Sequence, residues 1–184
     1  MKKIFAIAAM ALLTLSASAQ KIARVNFVEL VQLTPEADKA REQMAAAQKE
    51  AEETFNTMVE EYQSKAQQYQ QKASTWTASI KESKERELGD MQNRIQEFQQ
   101  SVSQELQEQQ NTLMAPIQQK ANEAIQKIAK ERGFDIVLDG SSALFFSDNV
   151  VDLTADARKA LGIKEGRTLE TLQQELAAKQ QQQQ

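Results

Sequence analysis

The sequence predicts an α+β protein, a small β body carrying a long antiparallel α-helical hairpin arm. Three observations lead there. Residues 34–132 form an almost unbroken helical tract rich in Gln, Glu, Lys and Ala. Two short strand-like segments, 22–26 and 134–139, flank it. A run of poor helix formers, Ser74-Thr75-Trp76-Thr77-Ala78-Ser79, lies near its middle. The ends of one straight helix of that length could not meet, whereas the ends of a hairpin folded at its centre can.

The chain opens with Lys2 and Lys3, an apolar run over 4–15 and the small residues Ala17-Ser18-Ala19 before Gln20. This is the pattern of a secretory signal peptide cleaved after Ala19, and the apolar run is too short to span a bilayer. No Cys follows the cleavage point to carry a lipid anchor. Removing the two lysines and no acid takes the formal net charge from −4 to −6. Such a chain presents no basic face for nucleic acid. It contains neither Cys nor His, which excludes thiol nucleophiles, disulfides, Ser-His-Asp triads and His-based metal sites.

Thr34-Pro35-Glu36 starts the arm with a capping hydroxyl, a proline at the first helical position and an acid in the first turn. Apolar residues then recur at Ala37, Ala40, Met44, Ala47, Ala51, Phe55, Met58, Tyr62, Ala66, Tyr69, Ala73 and Trp76. The mean step of about 3.55 lies between a strict heptad and an uncoiled helix, so only a gentle supercoil is expected. A second seam runs through Leu88, Met91, Ile95, Phe98, Val102, Leu106, Leu113, Ile117, Ala124 and Ile128. Ser79 and Glu82 read as a capping box for the second helix. A reversal near residue 77 sets Pro35 opposite about residue 119, and Pro116 falls where the arm should end. The many seam alanines bury little area, each far less than the ~1.5–3 kcal/mol of a buried Leu or Phe, so the arm should be soft.

In the body, Ala23, Val25 and Phe27 alternate with Arg24 and Asn26 as a half-buried strand. Phe134, Ile136 and Leu138 share one face of a second strand, with Asp135 and Asp139 on its solvent side. Gly133 ends the long helix before it. A turn at 140–142 leads to an expected third strand over 143–146, and Thr154-Ala155-Asp156 opens a short helix. Three such strands cannot close a core alone. The expected divisions are a signal peptide over 1–19, a β body from 20–33 and 117–163, the arm over 34–116, and a tail over 164–184. Leu169, Leu172 and Leu176 mark one amphipathic helix in that tail, and the glutamine run 180–184 reads as disordered.

The signal peptide, Lys21-Ile22-Ala23-Arg24-Val25-Asn26, the Gln-rich hairpin and Phe134-Asp135-Ile136-Val137-Leu138-Asp139 together resemble the Skp/OmpH family of periplasmic chaperones. The likeness continues through Ala143-Leu144-Phe145-Phe146 and Val151-Asp152-Leu153-Thr154, covering roughly 21–163. It implies a homotrimer in which strands of three subunits form a barrel and three arms surround a cavity. It also implies ATP-independent holding of unfolded outer-membrane β-barrel proteins in the periplasm, with no cofactor. The best-known members are strongly basic and this chain is acidic, so no lipopolysaccharide or membrane contact is carried over.

A holdase needs weak apolar contacts at many points, which polarisable Met and amphipathic aromatics supply. Apolar residues off the seams or at the tip are therefore the client-contact candidates: Val59, Trp76, Ile80 and Met114. Met58, Tyr62, Tyr69, Met91 and Phe98 belong to the seams by their spacing. Val25, Phe27, Ile136, Leu138, Leu144 and Phe146 are the candidate body or oligomer core. The alternative is a periplasmic spacer or adaptor binding one folded partner through its tip. Enzyme activity is not expected, since Asp135 and Asp139 alone offer no catalytic constellation.

Overall fold

The computed structural model describes residues 20–181. The expected signal peptide and the last three glutamines lie outside the described residues. Two compact units are present, one formed by the described residues up to 31 together with those from 120 onward, the other by residues 32–119.

In the body, β1 (Ile22–Val25) is the central strand of a three-stranded sheet, with β2 (Ile136–Asp139) on one edge and β3 (Val151–Asp152) on the other. Both pairings are parallel. Ile22 lies opposite Ile136 and Val25 opposite Asp139, while Ala23 faces Val151 and Arg24 faces Asp152. Side-chain hydrogen bonds fix this register at both ends. The Lys21 N–H donates to Asp135 Oδ2 at 2.8 Å, and the Asn26 N–H donates to Thr154 Oγ1 at 2.9 Å. Arg24 ion-pairs with Asp152 at 3.2 Å and lies 5.6 Å over the Phe146 ring.

Ala23 and Val25 are buried, as are Leu30 and Val31 of α1 (Phe27–Gln32). The end of the long helix α3 (Ala78–Arg132) adds Ala121, Ile125 and Ala129 to the buried set, and α4 (Thr154–Ala160) adds Ala157. Gly133 stops α3 in the left-handed region at φ 67°, where its N–H reaches the Lys130 carbonyl at 3.3 Å.

Four expectations are corrected. Phe27 does not extend β1; Asn26 Oδ1 accepts the Glu29 N–H at 3.1 Å and starts α1 instead. Residues 143–146 form no strand; β1 is flanked by β2 on one side and by Val151–Asp152 on the other. The solvent side of β2 is not the one expected throughout: Asp135 is exposed, but Asp139 is half-buried. Paired residues share a face, so Asp139 lies beside buried Val25, whereas Ile136 lies with Ile22 and both are exposed. The tail is helical further than expected, since α5 (Leu169–Gln181) includes residues 180 and 181.

The tail is tied down by Arg158. Its guanidinium ion-pairs with Glu29 and donates to the carbonyls of Lys164 and Arg167. Reciprocal bonds between Thr168 and Thr171 cap α5, whose Leu172 is buried. Arg158→Ala removes all three contacts and is expected to lower unfolding free energy by about 1–3 kcal/mol, read by urea denaturation. Arg158→Lys should recover only part of the loss, because an ammonium lacks the planar fork.

Candidate functional site

The second unit is an antiparallel helix pair, α2 (Pro35–Lys72) with the first part of α3. Thr34 caps α2, its hydroxyl accepting the Ala37 N–H at 3.1 Å ahead of Pro35. A short 3₁₀ turn, Ala73–Thr75, makes the tip, and Trp76 is extended. Thr77, not Ser79, caps the second helix: its hydroxyl accepts the Ile80 N–H at 3.4 Å and its carbonyl the Lys81 N–H at 3.0 Å. The cap therefore comes two residues earlier than expected, directly after the turn.

Cross-helix contacts give a constant pairing rule. Tyr62 meets Gln92, Lys65 meets Glu87, and Tyr69 meets Glu85. Further along, Phe55 and Phe98 line one cavity with Ala51 and Val102. Numbers of facing residues thus sum to about 153. The tip is the most polar level. Trp76 stands edge-on to Tyr69 at 5.8 Å and 65°, and both share a cleft with Lys65, Lys72, Lys84 and Glu87. Hydrogen bonds from Lys65 and then Lys84 hold the Glu87 carboxyl down to about 2, well below its usual 4.5. The Tyr69 hydroxyl is pushed above its usual range by its hydrogen bond to the Glu85 carboxylate.

Burial along the pair is uneven. Leu33, Ala37, Ala40 and Ile117 are buried at one end and Met91 towards the tip, but the seam between them is only half-buried. Of the client-contact candidates, Ile80 is 44% exposed, whereas Val59, Trp76 and Met114 are half-buried. They do not form one patch. Trp76 and Ile80 sit at the tip, Val59 lies partway along α2, and Met114 lies near the far end of the arm unit. Of the candidate body positions, Val25 is buried, while Phe27, Leu138 and Phe146 are half-buried. Ile136 is exposed and Leu144 fully so, beside Phe145 at 81%.

Sequence reasoning missed the gap around Ala47, Ala51, Phe98, Val102 and Leu106. Its signal was present in the two seams, where alanines fall opposite bulky residues once the pairing sum is known. It also missed Ala121, Ile125 and Ala129, which are buried while Ala124 and Ile128 are half-buried. The four-residue steps from Ile117 would have found them. Among the described residues no group of carboxylates is placed to hold a metal, and no helix is long and apolar enough to cross a membrane.

What this arrangement offers is extended, partly apolar surface on a helical hairpin, the equipment of an interaction protein. The family model for Outer membrane protein (OmpH-like) matches residues 21–161, and the chain belongs to that family. It is 30% identical over 148 residues to chaperone protein Skp of Yersinia enterocolitica, covering 78% of this chain and 87% of that one. With chaperone protein Skp of Photorhabdus luminescens it shares 30% over 167 residues, covering 86% and 98%. The fold matches the crystal structure of an OmpH-like protein from Caulobacter crescentus with a TM-score of 0.70. The identity there is 14%, and the match covers 79% of this chain and 86% of that one.

The lowered Glu87 carboxyl sets the sign of a pH effect at the tip. A carboxyl depressed on folding stabilises fully above about pH 4.5 and loses that contribution as pH falls towards 2. Trp76 emission should therefore shift as pH approaches 2, where the folded carboxyl takes up its proton. Because the group is exposed, the change should be small and weakened by salt. Glu87→Gln should flatten the profile.

Proposed function

We propose that the protein is an ATP-independent periplasmic holdase that binds unfolded outer-membrane β-barrel proteins along its helical arms and prevents their aggregation. The observation that carries this reading is the alignment with chaperone protein Skp over most of both chains. Physical support comes from the arm. A seam left half-buried through its middle offers apolar contacts at many points and a tight site at none. Weak contacts summed along several arms hold a client by avidity and release it without fuel.

The working unit is a homotrimer. In favour of it, the outer edge of β2 has no strand partner among the described residues. The face carrying Ile22 and Ile136 is exposed, and Leu144 and Phe145 stand in solvent next to it in sequence. Apolar surface and an unpaired edge together favour strand and side-chain pairing with further copies of the chain. The basic start, apolar run and Ala17-Ser18-Ala19 favour export with cleavage after Ala19.

Light scattering decides between holding and spacing. A urea-denatured outer-membrane β-barrel is diluted into nucleotide-free buffer with and without the mature protein. Suppression at about one trimer per client, persisting in high salt, is the expected result. Unchanged aggregation at every salt concentration would overturn the holdase in favour of a spacer. Light-scattering mass on a sizing column reads the trimer separately, and Leu144→Glu with Phe145→Glu should dissociate it.

A further inference from the structure

Midway along the helix pair, Ala47 and Ala51 of α2 are too small to fill the space before Phe98, Val102 and Leu106 of α3. Cavities of about 260 Å³ and 350 Å³ result, with Ala51, Phe98, Val102 and Leu106 common to their walls. Each of these four side chains is half-buried. The four shared wall residues are apolar, Gln48, Gln99, Thr54 and Gln109 add polar edges, and the charged residues at both cavities are of one sign. Glu52 borders the first cavity and Glu50 and Glu105 the second, with no lysine or arginine at either. Lys49, the nearby cation in sequence, pairs with Glu53 at 3.8 Å and lines neither cavity.

This acidic rim belongs to a wider polarity. Over 34–64 and 88–116 the arm carries twelve acidic and four basic residues, whereas the tip segment 65–87 carries five basic and three acidic ones. The apolar gap therefore lies in the most negative part of the arm. A matching segment needs an apolar side chain to fill the gap and cations beside it to meet the carboxylates. Lysine and arginine suit both demands, since their stems lie along apolar walls while their charged ends reach outward. A flanking glutamate would be repelled by Glu50, Glu52 and Glu105.

We propose that this notch holds extended peptide segments in which an apolar residue is flanked by lysine or arginine. The proposal rests on the holdase reading and names the chemistry of the segments it selects.

Three labelled nine-residue peptides test it, each with two phenylalanines one residue apart and flanked by Lys, by Gln or by Glu. Their binding to the mature full-length protein is followed by fluorescence anisotropy at low and high salt. The Lys peptide should bind about fivefold or more tighter than the Glu peptide at low salt, and the ratio should shrink as salt rises. Ala51→Leu, which fills the notch, should weaken all three peptides. The exposed triple change Glu50→Gln, Glu52→Gln and Glu105→Gln should erase the lysine preference and leave the Gln peptide unchanged. Equal or tighter binding of the Glu peptide overturns the proposal, as does a lysine preference that survives the triple change. β-Barrel aggregation is measured in parallel. Suppression without a lysine preference overturns the notch alone, while a lysine preference without suppression overturns the holdase reading and leaves the notch standing.

Discussion

One four-residue strand, β1, supplies both edges on which the sheet is built. It comes first in the folded chain, yet its partners arrive more than 100 residues later. Parallel neighbours need a crossover that returns the chain to the starting end of the first strand. Here the helical hairpin is that crossover, and the Lys21 to Asp135 bonds mark where it comes back. Because loop closure grows only slowly more costly with length, a connection this long is tolerated once the helices hold their own ends together. The sheet thus depends on the hairpin forming, and the hairpin's reversal at Ala73–Thr77 becomes a requirement of the body.

The same chain divides its apolar residues unequally. One face of the sheet, with Ala23 and Val25, is buried, whereas the face with Ile22 and Ile136 is left open. Along the arm, Leu33, Ala37, Ala40 and Ile117 are buried at one end while the middle is only half-buried, since Ala51 and Ala47 stand where α3 carries Val102 and Leu106. Both features leave apolar surface uncovered in the single chain. A protein whose work is contact with other chains has a use for such surface, while a self-sufficient globule would have covered it.

Charge follows a separate pattern from apolar area. At the tip, Lys65, Lys84 and Glu87 form a compact cluster beside Tyr69 and Trp76, which braces the turn without glycine or proline. The shaft has lost that balance and is acidic. In the body, Arg158 performs the bracing role, joining α1 to the loop before α5 through one guanidinium. Residues 162–181, part of which this clasp fastens, lie beyond the family match.

The sequence alone determined what local chemistry and periodicity can specify. Thr34-Pro35 and Gly133 set helix ends, the seam steps set helices, and the poor helix formers around residue 76 set the reversal. It failed where a neighbour decides. Whether 143–146 or a later segment becomes the third strand depends on pairing, and Val151–Asp152 takes the edge of β1 that β2 leaves open. Which side of β2 faces solvent depends on register against β1, and a period-two pattern reads equally well either way round. The mid-arm notch needed the pairing sum of the two helices before Ala51 could be set opposite Val102 and Ala47 opposite Leu106. Local propensity travels with the residue, but edges, faces and voids belong to pairs of elements, and only the tertiary structure brings those pairs together.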